Sequence, residues 1–360
     1  MARRPTLNDL RKRIDKVDEK LLRLLNERGR LAVEVSKTKK TNSHSIYDPG
    51  REREIEDRIA QMNEGPLPDE AVISVYREII SGCRSLQRPL SVAFLGPWGS
   101  FSHMAAFKEF GSSASLVPQQ TVEDVFGEVE KGRASLGIVP VENSTEGSVG
   151  VVLDSFVDSP LTLMSEVLLR IDHCLMSQTG RLEDVEVVAS HAQALGQCRL
   201  WLERNMKQRE LLEAPSTAKA ALIATQRAEV AAIASSLASS VYKLNIIEPH
   251  IEDSPNNYTR FCVIGTSPTA PTGDDRTSLV FSLKDSPGAL NSVLRPFGRH
   301  GVNLTKIESR PSKERPWEYL FFVDFLGHRD DEEIQHILAE ARKSCVFLKV
   351  LGSYPINRIP

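Results

Sequence analysis

Residues 7–35 set the first constraint on what this chain can fold into. Leu7, Leu10, Ile14, Val17, Leu21, Leu24, Leu31 and Val35 recur at three- and four-residue steps, the seam of one long paired helix. Arg28 stands on that seam where an apolar residue belongs. Asp48-Pro49 supplies an N-cap and a first-turn proline for a second helix. Asn63-Glu64-Gly65-Pro66 ends it, a third helix runs from about residue 69 to 86, and Pro89 closes the segment. Residues 1–90 therefore read as an all-α, three-helix, dimerising module.

Beyond residue 90 the pattern changes. Residues 91–267 alternate strands and helices, an α/β reading, with one helix expected over 192–205 and an Ala-rich helix opening at Thr217. Residues 268–276 are a linker by composition. Residues 277–360 spell strand (278–283), helix (289–300), strand (303–309), strand (318–325), helix (332–344) and strand (346–352), the order of an α+β ferredoxin-like layout.

Charge and composition exclude several classes. Residues 1–90 carry 19 Lys+Arg against 15 Asp+Glu, while the remaining 270 carry 26 against 33. The small basic excess fits an anionic substrate, and no aromatic interleaving points to nucleic acid. No run approaches the ~18–20 apolar residues of a membrane span, and the N-terminus lacks a signal-peptide core. Five scattered cysteines (83, 174, 198, 262 and 345) without metal spacing read as reduced, mostly core thiols, and the location as cytoplasmic. No metal or organic cofactor is expected.

On one helix Arg28 and Lys39 lie about 20° apart in azimuth and ~16 Å apart along the axis, a gap two long cationic side chains close around a small dianion. Arg11 lies roughly 25 Å before Arg28 and ~100° round the helix, so as a site residue it must serve a partner's site. Leu10-Arg11, Glu27-Arg28, Lys37-Thr38-Lys39, Asp48, Arg51-Glu52-Arg53 and Gln87 resemble the all-helical chorismate mutase family. The resemblance implies that the partner's Arg11, Arg28 and Arg51 hold the two carboxylates of chorismate. Lys39 and Gln87 would meet the ether oxygen, and Asp48 and Glu52 the ring hydroxyl. Cys83 stands where some members place a serine. The rearrangement is unimolecular, so compact folding of the substrate and preset donors suffice.

In the second module Leu136–Val141 is an apolar strand that delivers Glu142, Asn143, Ser144 and Thr145 onto a glycine-terminated loop, suited to an oxygen-rich ligand. Gly96-Pro97-Trp98-Gly99-Ser100-Phe101-Ser102 puts a glycine turn before a helix N-terminus, which favours an anion. These segments, with Ser190-His191-Ala192-Gln193, Ser216-Thr217-Ala218 and Thr259-Arg260-Phe261, resemble prephenate dehydratases. Ser100 replaces a threonine of that pattern and Ala192 a proline. The resemblance implies a two-lobed fold like periplasmic binding proteins with prephenate between the lobes. Thr259 would meet the departing hydroxyl, and Ser100, Asn143, Ser144, Ser190, Gln197, Ser216, Thr217 and Phe261 would surround the substrate. Arg260 would either neutralise a carboxylate or pair structurally. His103 and His191 titrate in the useful range for a general acid, yet loop histidines are more often structural.

In the last module Gly288-Ala289-Leu290 and Glu308-Ser309-Arg310-Pro311 resemble the phenylalanine-binding ACT domain, with Asn291 in place of a common valine. Glu308 and Arg310 would take an amino acid's two charges or pair with each other. Together the three resemblances imply a bifunctional chorismate mutase and prephenate dehydratase, a homodimer or higher oligomer inhibited by L-phenylalanine. The alternatives are a dehydratase whose helices only dimerise and a non-enzymatic ligand sensor.

Overall fold

The computed structural model describes residues 6–39, 47–312 and 318–358, without the side chain of Lys39. The chain divides into two compact units, residues 1–90 with 110–115, and residues 91–109 with 116–360. In the first, α1 (Leu7–Lys39), α2 (Pro49–Met62) and α3 (Asp69–Gln87) follow the helical reading. Asp48 caps α2 by accepting from Arg51 N at 3.0 Å, and Arg77 Nε on α3 meets Glu56 Oε1 on α2 at 2.6 Å. The seam of α1 is not what α2 and α3 cover: Leu7, Ile14, Leu21, Leu24 and Leu31 remain 52–66% exposed.

The second unit opens with β1 (Ser91–Leu95), α4 (Phe101–Phe110), β2 (Ser115–Gln119), α5 (Val122–Glu130), β3 (Leu136–Asn143), β4 (Gly147–Ser148), α6 (Gly150–Asp158) and β5 (Thr162–Arg170). A second lobe follows as β6 (Cys174–Ser177), β7 (Val187–Ser190), α7 (Ala192–Gln197), α8 (Arg199–Asn205), β8 (Glu210–Glu213), α9 (Thr217–Ala224), β9 (Val230–Ala234), α10 (Ser236–Tyr242) and β10 (Asn245–Glu248). β11 (Tyr258–Gly265) then returns to the first sheet, whose order is β2-β1-β3-β11-β5 with β4 beside β3. The second sheet runs β10-β6-β9-β7-β8. The two-lobed α/β layout is the expected one.

One helix differs from its expectation. Residues 192–205 form two helices broken at Cys198, because Asp253 reaches in and accepts from Leu200 N and Trp201 N at 3.1 and 3.3 Å. Those contacts cap a new helix start by satisfying backbone N–H groups of the first turn of α8.

The C-terminal layer is β12 (Asp275–Ser282), α11 (Ala289–Arg299), β13 (Leu304–Pro311), β14 (Tyr319–Leu326), α12 (Glu332–Arg342) and β15 (Phe347–Pro355), in sheet order β13-β14-β12-β15. β12 starts inside the expected linker: Asp275 accepts from Thr272 N at 2.7 Å and pairs in register with Pro355. Strand alternation splits this sheet into two apolar faces. Leu279, Phe281, Val323 and Phe325 pack with residues of α11 and α12, while Val280, Phe322 and Tyr354 join Val139, Phe156 and Cys262 of the first lobe. β15 crosses β5 at Gly352, where a Cβ would overlap the backbone oxygen of Leu163. Gly352→Ala is therefore expected to lower stability by about 1–3 kcal/mol through overpacking. Thermal melts check this, and an unchanged midpoint would contradict the close crossing.

Candidate functional site

A cleft of about 390 Å³ lies between the two lobes. Its centre is made by register: Thr259 on β11 stands opposite Asn143 on β3, and Asn143 opposite Gly147 on β4. The Asn143 Oδ1 accepts from Thr145 N and Glu146 N at 3.0 and 3.1 Å, which fixes the amide. Its Nδ2 then donates to Asn257 Oδ1 at 2.8 Å and to Thr259 Oγ1 at 2.9 Å. With its oxygen occupied as an acceptor, the 8%-exposed Thr259 hydroxyl keeps its own proton to donate. Phe261 lines the same wall.

The opposite walls come from helix N-termini. Ser100 accepts from His103 N at 3.2 Å and donates to Leu95 O at 3.0 Å, holding the turn before α4 at the cleft with Phe101 and Ser102. Ser216 caps α9 by accepting from Lys219 N, and Ser216 and Thr217 both line the cleft. Gln197 is there too, its Oε1 2.9 Å from His173 Nε2. Among the described residues the lining contains neither Lys nor Arg.

Other expected residues sit elsewhere. The Ser190 hydroxyl is buried and donates to Ile233 O at 2.7 Å, and Ser144 accepts from Tyr258 N at 3.0 Å, tying the loop to β11. Arg260 points to the other face of β11, where Nη2 meets Asp324 Oδ2 of β14 at 2.8 Å, with Glu166 and Glu142 at 3.7 and 3.9 Å. Of the two roles open to Arg260, the geometry provides structural pairing. His103 stacks on Phe94 and accepts from Gly99 N, away from the cleft lining; His191 lines the cleft and caps α7.

In the helical unit a groove of about 1060 Å³ runs between α1 and α3, lined by Leu25, Gly29, Val33, Ile79, Leu86 and the buried Cys83 among others. Arg28, Asp48, Arg51, Glu52 and Gln87 lie outside its lining, and Arg51 pairs with Glu54. Glu52 meets Arg84 Nη1 at 3.1 Å, and the guanidinium of Arg84 lies over the rings of Tyr47 and Phe110. The Lys39 side chain is outside the described residues.

Glu308 and Arg310 do not pair with each other. On β13 they share a face with Lys306, and each reaches across to the first lobe, Glu308 to Ser148 and Arg310 to Asp154. Ser309 alternates to the α11 side, opposite Phe321. Gly288 takes the left-handed φ of +80° that opens α11, with Ala289 and Leu290 in its first turn. Asp172, His250 and Glu252 bring potential metal-ligand atoms within 4.8 Å of one another, but Arg170 Nε already lies 2.8 Å from Asp172 Oδ1.

Three families match in succession: chorismate mutase type II over residues 10–88, prephenate dehydratase over 92–269 and the ACT domain over 277–342. A bifunctional chorismate mutase/prephenate dehydratase of Aquifex aeolicus is 48% identical over 97% of this chain and 98% of its own. That of Pseudomonas aeruginosa is 43% identical over 99% of both. The chain belongs to the bifunctional chorismate mutase/prephenate dehydratase family. A crystal structure of the Arthrobacter aurescens prephenate dehydratase in complex with L-Phe is 32% identical, with a TM-score of 0.70 over 74% of this chain and 90% of that one.

Within this family member, with Glu146, Ser148 and Asn257, His173 is one of the cleft residues that sequence reasoning missed. It follows β5 at the crossing to the second lobe, 2% exposed, with Phe101 edge-on to its ring at 5.5 Å. No sequence motif flags it; only the crossing places it. Burial pushes its pKa below the ordinary 6.5, more than Gln197 and Glu252 raise it. The unfolded chain takes up this proton as pH falls below about 6.5 while the folded one resists, so stability falls with acidification in that window. His173→Asn is expected to show a shallower loss of melting temperature between about pH 7 and 5. Equal slopes in the two proteins would rule out a neutral, buried His173.

Proposed function

We propose that this one polypeptide converts chorismate to prephenate and prephenate to phenylpyruvate, in the cytoplasm, under inhibition by L-phenylalanine. The observation that carries the reading is the end-to-end similarity to the Aquifex aeolicus bifunctional relative, covering all three modules. The L-Phe complex of the Arthrobacter aurescens dehydratase supports the regulator's identity.

In the dehydratase step the bond to the ring carboxylate breaks, CO2 departs, and the electron pair enters the ring as the C–O bond to the hydroxyl breaks. Hydroxide is a poor leaving group, so a proton must meet it. Thr259 is the proposed donor or relay, aimed by Asn143. A cation beside the departing carboxylate would stabilise the charge that must be given up, so a lining that holds Glu146 and neutral donors but, among the described residues, no Lys or Arg suits decarboxylation. Ser100, Ser216, Thr217 and Gln197 are the proposed holders of the carboxylate and keto group that remain. Thr259→Val is expected to cut dehydratase kcat about 10²–10³-fold, the scale of one lost transition-state donor, and to spare mutase turnover. Lys39→Ala is expected to do the reverse. Assays with chorismate and prephenate separately check both; loss of both activities in either variant would contradict independent sites.

The mutase is proposed to be a homodimer site. The exposed α1 seam offers an apolar face to a second copy, and Arg11 is out of reach of Arg28 in its own helix. Mixing Arg11→Ala and Lys39→Ala subunits after co-refolding is expected to restore roughly one quarter of wild-type mutase turnover, since each mixed dimer rebuilds one site. No recovery, with mixed dimers verified by tag pull-down, would place Arg11 outside the partner's site.

A further inference from the structure

His173 and Gln197 both line the cleft, and one short segment pins them. Ile251 N donates to His173 O at 2.9 Å, the Glu252 carboxylate accepts from His173 N at 2.9 Å, and Asp253 N donates to Gln197 O at 2.7 Å. Three consecutive residues thus fix the backbone at the crossing between the lobes and at the last residue of α7. The side chains then meet, with His173 Nε2 2.9 Å from Gln197 Oε1. An amide oxygen only accepts, so the imidazole carries its hydrogen on Nε2 and a bare lone pair on Nδ1. The other tautomer would withdraw that donor and bury an idle N–H, because His173 Nδ1 has no hydrogen-bond partner among the described residues. Gln197 Nε2 has none either. Buried polar atoms are nearly always paired. An amide at a cleft wall, with its oxygen taken and both N–H groups idle, is a donor prepared for an acceptor that the cleft receives.

We propose that His173 is a positioning residue of the dehydratase, whose Nε2–H holds the Gln197 carbonyl so that the amide N–H groups face a carboxylate or keto oxygen of prephenate. The inference rests on the reading of the cleft as the prephenate site and deepens it. An amide left unheld turns about its last torsion and presents its oxygen to the substrate, where it repels a carboxylate. Holding the oxygen in advance removes that choice, so nothing is left to rearrange as the substrate arrives. Asn143 is aimed by the same device: its Oδ1 is occupied by Thr145 N and Glu146 N, and its Nδ2 points to Thr259. The His173–Gln197 pair aims without adding charge. Burial keeps the ring neutral against the pull of Gln197, Glu252 and Asp172 towards its cation. A lysine or arginine would hold the same carbonyl, but it would bring to the cleft the cation that steadies a departing carboxylate.

The test measures dehydratase kcat/KM in full-length His173→Phe, His173→Gln, Gln197→Met and the His173→Phe/Gln197→Met double variant, with thermal melts of each protein reporting the folded state. His173→Phe, which fills the ring's place without a donor, is expected to lower kcat/KM about 10- to 100-fold, the scale of a misplaced contact to the substrate. His173→Gln returns an N–H near the position of Nε2 and is expected to recover most of that loss. In the Gln197→Met background, His173→Phe is expected to cost less than about two-fold, because the group it aims is gone. Losses that multiply in the double variant, or a His173→Gln protein no better than His173→Phe, would overturn the inference while leaving the prephenate site intact. Nitrogen-15 spectra of histidine-labelled protein read the contact directly. The His173 ring, assigned by its loss in His173→Gln, is expected to be neutral with its hydrogen on Nε2 and to shift in Gln197→Met. A hydrogen on Nδ1 would equally overturn the inference. A wild type that leaves prephenate unconsumed would remove the dehydratase reading itself, and the positioning role with it.

Discussion

The pairing of β11 between β3 and β5 is the constraint on which the second unit depends. It joins segments about 90 to 130 residues apart and closes the first sheet with its last strand. Because side chains alternate, one register decision assigns every residue of Thr259-Arg260-Phe261. Thr259 and Phe261 face the cleft, and Arg260 faces the C-terminal sheet. A slip of one residue would bury the hydroxyl against Asp324 and aim a guanidinium at the substrate. The Asn143–Thr259 hydrogen bond and the Ser144–Tyr258 bonds pin that register at the strand's open end, where fraying would otherwise begin.

The reverse face of the same strand carries an unusual density of buried charge. Arg260 and Arg276 share Glu166, and Asp324 takes both Arg260 and the Ser278 hydroxyl, itself 2.6 Å from Tyr354 Oη. Burial alone would raise the Asp324 carboxyl, yet Arg260 and Ser278 hold it below its ordinary range; burial wins at Glu166, which is pushed up despite two arginines. Buried ion pairs contribute little net stability against apolar replacements, because desolvation offsets attraction. Their value lies in geometry, since a misplaced sheet would strand an uncompensated charge. The C-terminal sheet is thus seated on the catalytic strand by charge register as well as by the apolar contacts of Val280 and Phe322.

Much of this was legible in the sequence, for reasons that differ by element. The helices of the first unit and the β-α-β-β-α-β order follow from local periodicity and punctuation, so they could be read directly. Asn143 and Thr259 stood out through the resemblance of their segments to prephenate dehydratases, with Asn143 also marked by the run of short polar residues that its strand delivers. The residues that escaped do so through tertiary geometry. Arg260 sits in the same triplet as Thr259, and only the strand's facing sends it away. His173 and Arg84 stand in no motif, and only the fold gathers Glu52 and the rings of Tyr47 and Phe110 around Arg84. Ser190 resembled a ligand residue, but its hydroxyl serves the carbonyl of Ile233. The Cys198 break required Asp253, 55 residues away in sequence.

The charge division of the chain acquires a chemical sense on the proposed function. A rearrangement that builds negative charge on an ether oxygen gains from cations placed around a dianion, and residues 1–90 carry the basic excess. A decarboxylation gains from the opposite arrangement. The charge to be expelled must be left unpaired while donors meet the hydroxyl on its way out, and the cleft lining offers hydroxyls, amides, two histidines and the carboxylate of Glu146, with no Lys or Arg among the described residues. The arginines near that cleft are not missing from the sequence. Arg260 is directed through the sheet to Asp324, and Arg170 to Asp172, so the fold keeps them close enough to order the walls and turned away from the reacting carboxylate. One polypeptide can then run two steps of opposite electrostatic demand because the two sites draw their side chains from different units.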